Sequence, residues 1–179
     1  RIEYDFDTGY RLYVPGDWNS QMEQLLWYEG IIWYKRSFDC APEPGKRFFL
    51  YFGAVNYHAT VYLNGEKLGE HEGGFTPFTF EITGKIRQDG NHLVVKADNS
   101  RRLEAVPTID TDWWNYGGIT REVVLVETPD TFISDYHIQL RRGSSRHIEG
   151  WINLDGDGAA EASVSITIPD AEAQCEART

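Results

Sequence analysis

The chain has 179 residues, of which 14% are aromatic, and its 28 acidic against 17 basic residues give a formal net charge of −11. That length provides material for one large β domain with a core, or for one domain and part of a second. An acidic chain without a stripe of lysines and arginines argues against nucleic acid and anionic membranes as partners. Its apolar runs are far shorter than the ~20 residues needed to cross a bilayer.

The first part of the chain predicts a series of short antiparallel strands. Ile31–Phe38 is rich in β-branched and aromatic residues, and Phe48–Phe52 is continuously apolar, as expected of strands in a packed sheet. Asn64-Gly65 lies between two further runs and predicts a type I′ hairpin turn, whose central residues both need positive φ. Gln21–Leu26 predicts only a short helical turn. The remaining predicted strands are Ala59–Leu63, Glu66–His71, Phe78–Ile82, His92–Asp98 and Val123–Glu127.

A boundary is predicted at Thr128-Pro129-Asp130, where the pattern of strands restarts. Three alternating strands follow, at Ile133–Leu140, His147–Leu154 and Glu161–Ile168. Strands without a long helix favour antiparallel sandwiches. The second group is well short of the ~100 residues of an immunoglobulin-like sandwich, so we expect it to be incomplete.

The segment from Asp110 to Arg121 combines two carboxylates, three large aromatic rings, an amide and a Gly-Gly pair. Trp and Tyr rings beside carboxylates and amides suit a sugar, which has apolar C–H faces and a rim of hydroxyls. The rings could equally be core residues, and Asp112 could cap a turn. Gly117 and Gly118 allow backbone conformations that are closed to other residues. The residues alone leave the sugar-binding and structural interpretations open.

No complete catalytic site or metal site can be read from the sequence. Motifs of serine hydrolases, P-loops, zinc proteases and Cys-x-x-Cys proteins do not occur, so we predict no metal and no cofactor. Cys40 and Cys175 are far apart in sequence, and the five histidines share no ligand spacing. A carboxylate pair for glycoside hydrolysis cannot be chosen, because sequence does not give the separation of the two groups.

A series of short blocks resembles the amino-terminal domain of glycoside hydrolase family 2, which includes β-glucuronidases and β-galactosidases. The Asp112 block is most similar to the β-glucuronidase version. In chain order the blocks are Val14–Asn19 with Trp33–Arg36, then Phe52–Val55, Val61–Gly65, His71–Phe78 and Asp112–Arg121.

The resemblance implies an all-β fold, with a jelly-roll (galactose-binding-like) sugar-binding sandwich over residues 1–128 and the beginning of an immunoglobulin-like sandwich over residues 129–179. In the family a (β/α)₈ barrel follows and carries two catalytic glutamates, which we expect beyond Thr179. On this interpretation the chain is a non-catalytic fragment that lacks both native termini. Its compartment is therefore undetermined.

The resemblance also implies roles for residues of the loop. The family's aspartate at the position of Asp112 reaches toward the barrel and contacts a hydroxyl of the terminal sugar, and an ionised carboxylate accepts strong hydrogen bonds from such groups. Asn115 and Tyr116 are expected to brace the loop, and Trp113 and Trp114 to fill the sandwich.

The implied partners are a terminal β-linked sugar and the barrel of the same chain, with a homo-oligomeric parent left open. Two other classes compete with a glycosidase fragment. One is a free-standing carbohydrate-binding module, which should expose a flat row of aromatic rings, and the other is a structural or oligomerisation sandwich without a sugar site.

Overall fold

The computed structural model describes residues 5–106, 108–169 and 173–178, the last of these by its backbone alone. Within these residues the secondary structure consists of strands and 3₁₀ turns, without an α-helix. The turns are Phe6–Thr8, Glu23–Leu25 and Ala159–Glu161. The strands are β1 (Gly16–Asp17), β2 (Ile31–Phe38), β3 (Lys46–Phe52), β4 (His58–Leu63), β5 (Glu66–Glu72), β6 (Phe78–Glu81), β7 (Asn91–Asp98), β8 (Gly118–Ile119), β9 (Val123–Pro129), β10 (Phe132–Leu140), β11 (Ile148–Asp155), β12 (Ser163–Ile168) and β13 (Ala173–Arg178).

The chain divides into two compact units. The first contains the residues up to Pro44 together with Phe48–Glu127, and the second contains Gly45–Arg47 together with the residues from Thr128 onward. The prediction of an all-β chain with sandwich-like sheets is confirmed.

The core of the first unit lies between a four-stranded and a three-stranded sheet. The four strands run in the order β2-β7-β4-β5, and the three in the order β6-β3-β9. Alternate residues of each strand point inward, so Phe48, Leu50 and Phe52 of β3 share one cluster with residues of β4 and β7. Trp18 is fully buried in the same cluster. Burial of each such side chain stabilises the fold by about 1.5–3 kcal/mol.

The hairpin between β4 and β5 has the predicted turn. Asn64 has φ of 54° and Gly65 has φ of 86°, the positive values that a type I′ turn requires. Leu63 pairs with Glu66 across the turn. The Asn64 side chain donates to the backbone oxygen of Lys85 at 3.0 Å, which ties the turn to a neighbouring loop. The sequence prediction of this hairpin is therefore confirmed.

The second unit contains two antiparallel hairpins, β10 with β11 and β12 with β13. Its three predicted strands are present, with β12 beginning at Ser163 because a 3₁₀ turn occupies the residues before it. Strand β13 was not predicted, since its residues lack a clear alternation of apolar and polar side chains. Within this unit Arg47 forms an ion pair with Asp155 at 3.1 Å and lies 5.1 Å from the centre of the Phe132 ring.

Candidate functional site

The candidate site is the loop that joins β7 to β8 and carries Asp110 and Asp112. Both carboxylates are exposed. Within residues 5–106 and 108–169, no hydrogen bond or ion pair engages the Asp112 carboxylate, and the local turn contact is instead a 3.4 Å bond from the Thr111 hydroxyl to the backbone oxygen of Trp113. The described residues thus give no support to a turn-capping role for Asp112, which presents its charge to solvent.

Buried asparagines anchor the end of this loop. The Asn115 side chain donates to the backbone oxygen of Asn99 and accepts from Asn56 at 3.0 Å, while its backbone oxygen accepts from the Asn99 side chain at 2.7 Å. The Asn56 side chain also donates to the backbone oxygen of Tyr116. Asn56 is 6% exposed and Asn99 is 0% exposed, so water does not compete for these bonds. The loop therefore ends on a rigid support.

The Gly-Gly pair brings the loop against the core. A Cβ atom at Gly117 would lie 2.1 Å from the Trp18 ring, a distance that leaves room only for glycine. The Gly117 amide donates to the Asn19 side chain at 2.9 Å, and its oxygen accepts from the Trp18 amide at 2.8 Å. Gly118 has φ of 145° and pairs with Asp17 in the short β1–β8 ladder. Close packing against Trp18 explains why position 117 is a glycine. The positive φ angle explains why position 118 is a glycine.

The prediction that Trp113 and Trp114 fill the sandwich is wrong. Trp113 is 62% exposed. Trp114 is half-buried at the surface, where its ring meets Trp27 edge-on at 5.0 Å and lies 5.4 Å from the guanidinium of Arg101. Arg101 is in turn paired with Glu29 at 2.8 Å. The physical reason is that Trp18 already occupies the core beside Gly117, so the loop's own rings stay outside.

Tyr116, which the sequence predicts to brace the loop, is attached to the fold through its backbone. The contact that ties it to the fold uses its backbone oxygen, and its side chain is 51% exposed. Asn115, by contrast, is held through both its side chain and its backbone.

Two residues next to the loop have shifted pKa values. Burial would raise the pKa of Asp98, but hydrogen bonds from Ser100 and the positive charge of Arg102 lower it. Burial raises the pKa of Tyr34, whose hydroxyl lies near Gly118. At neutral pH the Asp98 carboxyl group therefore stays ionised, and the Tyr34 hydroxyl stays neutral. The group that the loop itself offers for hydrogen bonding is the exposed carboxylate of Asp112.

The sequence did not identify the three asparagines that hold the loop, Asn19, Asn56 and Asn99. One sequence signal could have indicated a buried asparagine: Asn56 is a polar residue that directly follows the apolar run Phe52–Val55. Such a residue needs a buried partner, but the partners here are about 16 to 98 residues away along the chain.

The described part of the chain offers neither a cluster of metal-ion ligands nor a membrane-spanning helix. It contains no group of three or more His, Cys, Asp or Glu side chains that could hold a metal ion. It also contains no helix with the length and apolar character of a membrane span.

The two packed sheets and the anchored loop place the first unit among β-sandwich domains. Comparison with known protein families identifies the family to which it belongs. Residues 19–129 match the family described as glycosyl hydrolases family 2, sugar binding domain. The chain belongs to this family, and the resemblance noted from its short blocks is confirmed.

Curated relatives carry the names of two glycosidases. A β-glucuronidase of Bacteroides fragilis is 38% identical over 129 residues, which cover 69% of this chain and 18% of that protein. A β-galactosidase of Thermoanaerobacter pseudethanolicus is 32% identical over 149 residues, covering 81% of this chain and 18% of that protein. The chain thus spans less than a fifth of the length of either relative.

A solved structure agrees with these matches. The β-glucuronidase of Bifidobacterium dentium, in complex with coumarin-3-O-glucuronide, superposes with a TM-score of 0.80 and 28% identity. The superposition covers 92% of this chain and 34% of that one.

Proposed function

We propose that this chain is the amino-terminal, non-catalytic part of a family 2 glycosidase that hydrolyses the O-glycosidic bonds of β-glucuronides or β-galactosides. The observation that carries the proposal is the family match over residues 19–129, together with relatives named β-glucuronidase and β-galactosidase. In this proposal residues 1–128 form the sugar-binding jelly roll and residues 129–179 begin an immunoglobulin-like domain.

The partner in this proposal is a catalytic barrel in the same polypeptide, which carries the two catalytic glutamates. Asp112 binds a hydroxyl of the terminal sugar held by that barrel. Two features support this role: the Asp112 carboxylate is exposed, and the residues that follow it are anchored to buried asparagines. A loop whose end is anchored before the sugar arrives loses little backbone freedom on binding.

Asn115 and Tyr116 act in support of the Asp112 loop. The double attachment of Asn115 and the Asn56 contact to the backbone oxygen of Tyr116 favour this assignment. The half-exposed ring of Tyr116 is free to contact the barrel or the sugar as well.

The test uses the full-length protein that contains this chain. Asp112→Asn keeps the shape of the side chain and removes its charge, so folding should be retained while kcat/KM for aryl β-glucuronides or β-galactosides falls. A lost charge-assisted hydrogen bond is worth about 1.5–3 kcal/mol, which corresponds to roughly a 10- to 150-fold loss. Asp110→Asn is the matched control, because Asp110 is exposed on the same loop but outside the matching block.

The melting temperature of each variant separates a binding role from a structural one. The proposal predicts a kinetic loss with an unchanged melting temperature for Asp112→Asn, and neither effect for Asp110→Asn. A lowered melting temperature with wild-type kinetics below it would remove Asp112 from the site.

A further inference from the structure

Trp114, two residues after Asp112, is held at the surface of the first unit by the side chains of Trp27 and Arg101. Its ring meets the ring of Trp27 at 87°, with 5.0 Å between the ring centres, and the guanidinium of Arg101 lies 5.4 Å from its centre. An edge-on ring pair and a cation over a ring are both attractive arrangements. Among the described residues, the buried indole N–H of Trp114 has no hydrogen-bond partner. Ring contacts, and not a hydrogen bond of the indole, therefore hold this side chain.

Glu29 forms an ion pair with Arg101. The Nε atom of Arg101 and the Oε1 atom of Glu29 are 2.8 Å apart, but the N–H is not directed at the oxygen, so the attraction is between charges. The two side chains are only 24% and 28% exposed, and water screens them less than it screens an open surface pair. Glu29 precedes Gly30, whose amide donates to the buried Asn99. The ion pair thus begins on a segment that is itself attached to the core.

A small cavity adjoins the loop segment before Asp112. Arg101, Thr111 and Asn115 are among the residues that line it. Side chains beside a cavity lack packing contacts on that side, so close packing alone does not hold the segment in place. Because Arg101 borders the cavity and also contacts Trp114, it adjoins the loop both before and after Asp112.

The contacts of Trp114 extend the attached part of the loop toward Asp112. The buried asparagines attach the chain at Asn115 and at the backbone oxygen of Tyr116. With Trp114 also held, only Trp113 separates the attached residues from Asp112. A shorter free segment has fewer backbone conformations to lose when a ligand binds.

We propose that Arg101 and Glu29 are positioning residues, which act through Trp114 to hold the backbone beside Asp112 in the conformation that binds the sugar. The inference rests on the sugar-binding role proposed for Asp112. It adds that Arg101 and Glu29 contribute to catalytic efficiency without touching the substrate. The alternative is a purely structural role, in which the Arg101–Glu29 pair stabilises the first unit and nothing more.

The first test measures kcat/KM of the full-length protein toward the aryl β-glucuronide or β-galactoside that it hydrolyses. Arg101→Met keeps an unbranched apolar side chain but removes the charge that contacts Trp114, and it should lower kcat/KM about three- to tenfold. Arg101→Lys keeps the charge without the planar group and should recover part of this loss. Arg47→Met is the matched control, because Arg47 also combines an ion pair with a ring contact, but within the second unit. It should have the wild-type kcat/KM.

A double variant separates positioning from a structural effect. If Arg101 acts through Asp112, adding Arg101→Met to Asp112→Asn should lower kcat/KM by no more than about twofold beyond Asp112→Asn alone. Losses that multiply, or a wild-type kcat/KM in Arg101→Met, would overturn the proposal. Glu29→Gln removes the other charge of the ion pair and should cost about twofold, which provides a second test if Arg101→Met does not fold.

Backbone order parameters from nuclear magnetic resonance test the same contact without enzyme activity. In the 179-residue chain, the amides of Asp112 and Trp113 should have values near about 0.85, which fall below about 0.6 in Arg101→Met and stay unchanged in Arg47→Met. Unchanged values in Arg101→Met would overturn the proposal whatever the kinetics show. An unchanged kcat/KM in Asp112→Asn would instead overturn the role of Asp112, and the order parameters would still decide whether Arg101 holds the loop.

Discussion

Asn99 shows how one buried polar side chain can connect distant parts of the fold. Its Oδ1 accepts from the Gly30 amide at 2.8 Å, and its Nδ2 donates to the Asn115 oxygen at 2.7 Å. It is completely buried, so both groups depend on it for a partner. The residue therefore links the start of β2 to the loop of Asp112.

Asn99→Ala should lower the free energy of unfolding by about 2–6 kcal/mol. The substitution leaves the Gly30 amide and the Asn115 oxygen without their partner, and each buried unsatisfied group costs about 1–3 kcal/mol. Urea denaturation of the 179-residue chain measures the effect. Asn153→Ala is the control, because Asn153 is exposed on β11. Equal denaturation midpoints for the two variants would show that Asn99 contributes little.

At the scale of elements, the strands with a clear alternation of apolar and polar residues were predicted to within one or two residues of their ends. Ile31–Phe38 agrees at both ends. Strands β1 and β8 were not predicted, because each has two residues and exists only through pairing such as Gly16 with Ile119, far apart in the chain. Local sequence carries no signal for such a ladder.

The composition of the sequence located the loop of Asp112. It did not predict whether the rings of that loop point into the core or toward solvent. Periodicity assigns a side chain to a face only inside a strand or helix. Trp113 and Trp114 lie in neither, so their exposure depends on what already fills the core, namely Trp18. The same limit applied to Trp33, whose outward direction became clear only with the register of β2.

The β4–β5 hairpin provides a prediction about backbone conformation alone. At Gly65 the φ angle is 86°, and a Cβ atom placed there would meet nothing within 4 Å. Gly65→Val should therefore destabilise the first unit by ~1 kcal/mol or more through backbone strain, without a steric clash.

Gly65→Asn is the matched variant, because asparagine tolerates positive φ far better than valine. Thermal denaturation should place its melting temperature between those of the wild type and Gly65→Val. An unchanged melting temperature for Gly65→Val would contradict the type I′ turn.

At the scale of the whole molecule, the proposed function separates recognition from catalysis. A retaining glycosidase needs two carboxyl groups about 5–5.5 Å apart, one of them with a raised pKa so that it can act as an acid. Among the described residues, the pKa of Asp98 is lowered by Ser100 and Arg102 against the effect of burial, and that of Glu70 is lowered by its hydrogen bond from Lys67. Both shifts are opposite to the one that an acid catalyst needs.

Because the proposed function assigns both catalytic glutamates to a barrel outside these residues, we expect the 179-residue chain to lack hydrolytic activity toward aryl β-glucuronides and aryl β-galactosides. Release of the aryl group is followed against a blank without protein, over a range of pH from about 4 to about 8 that covers ionisation of ordinary carboxyl groups. The full-length protein, assayed at the same molar concentration, is the positive control. Suppose that the 179-residue chain keeps activity after repurification and that Asp112→Asn does not abolish it. A carboxylate pair elsewhere in these residues would then perform the reaction, and the assignment of catalysis to a barrel would be wrong.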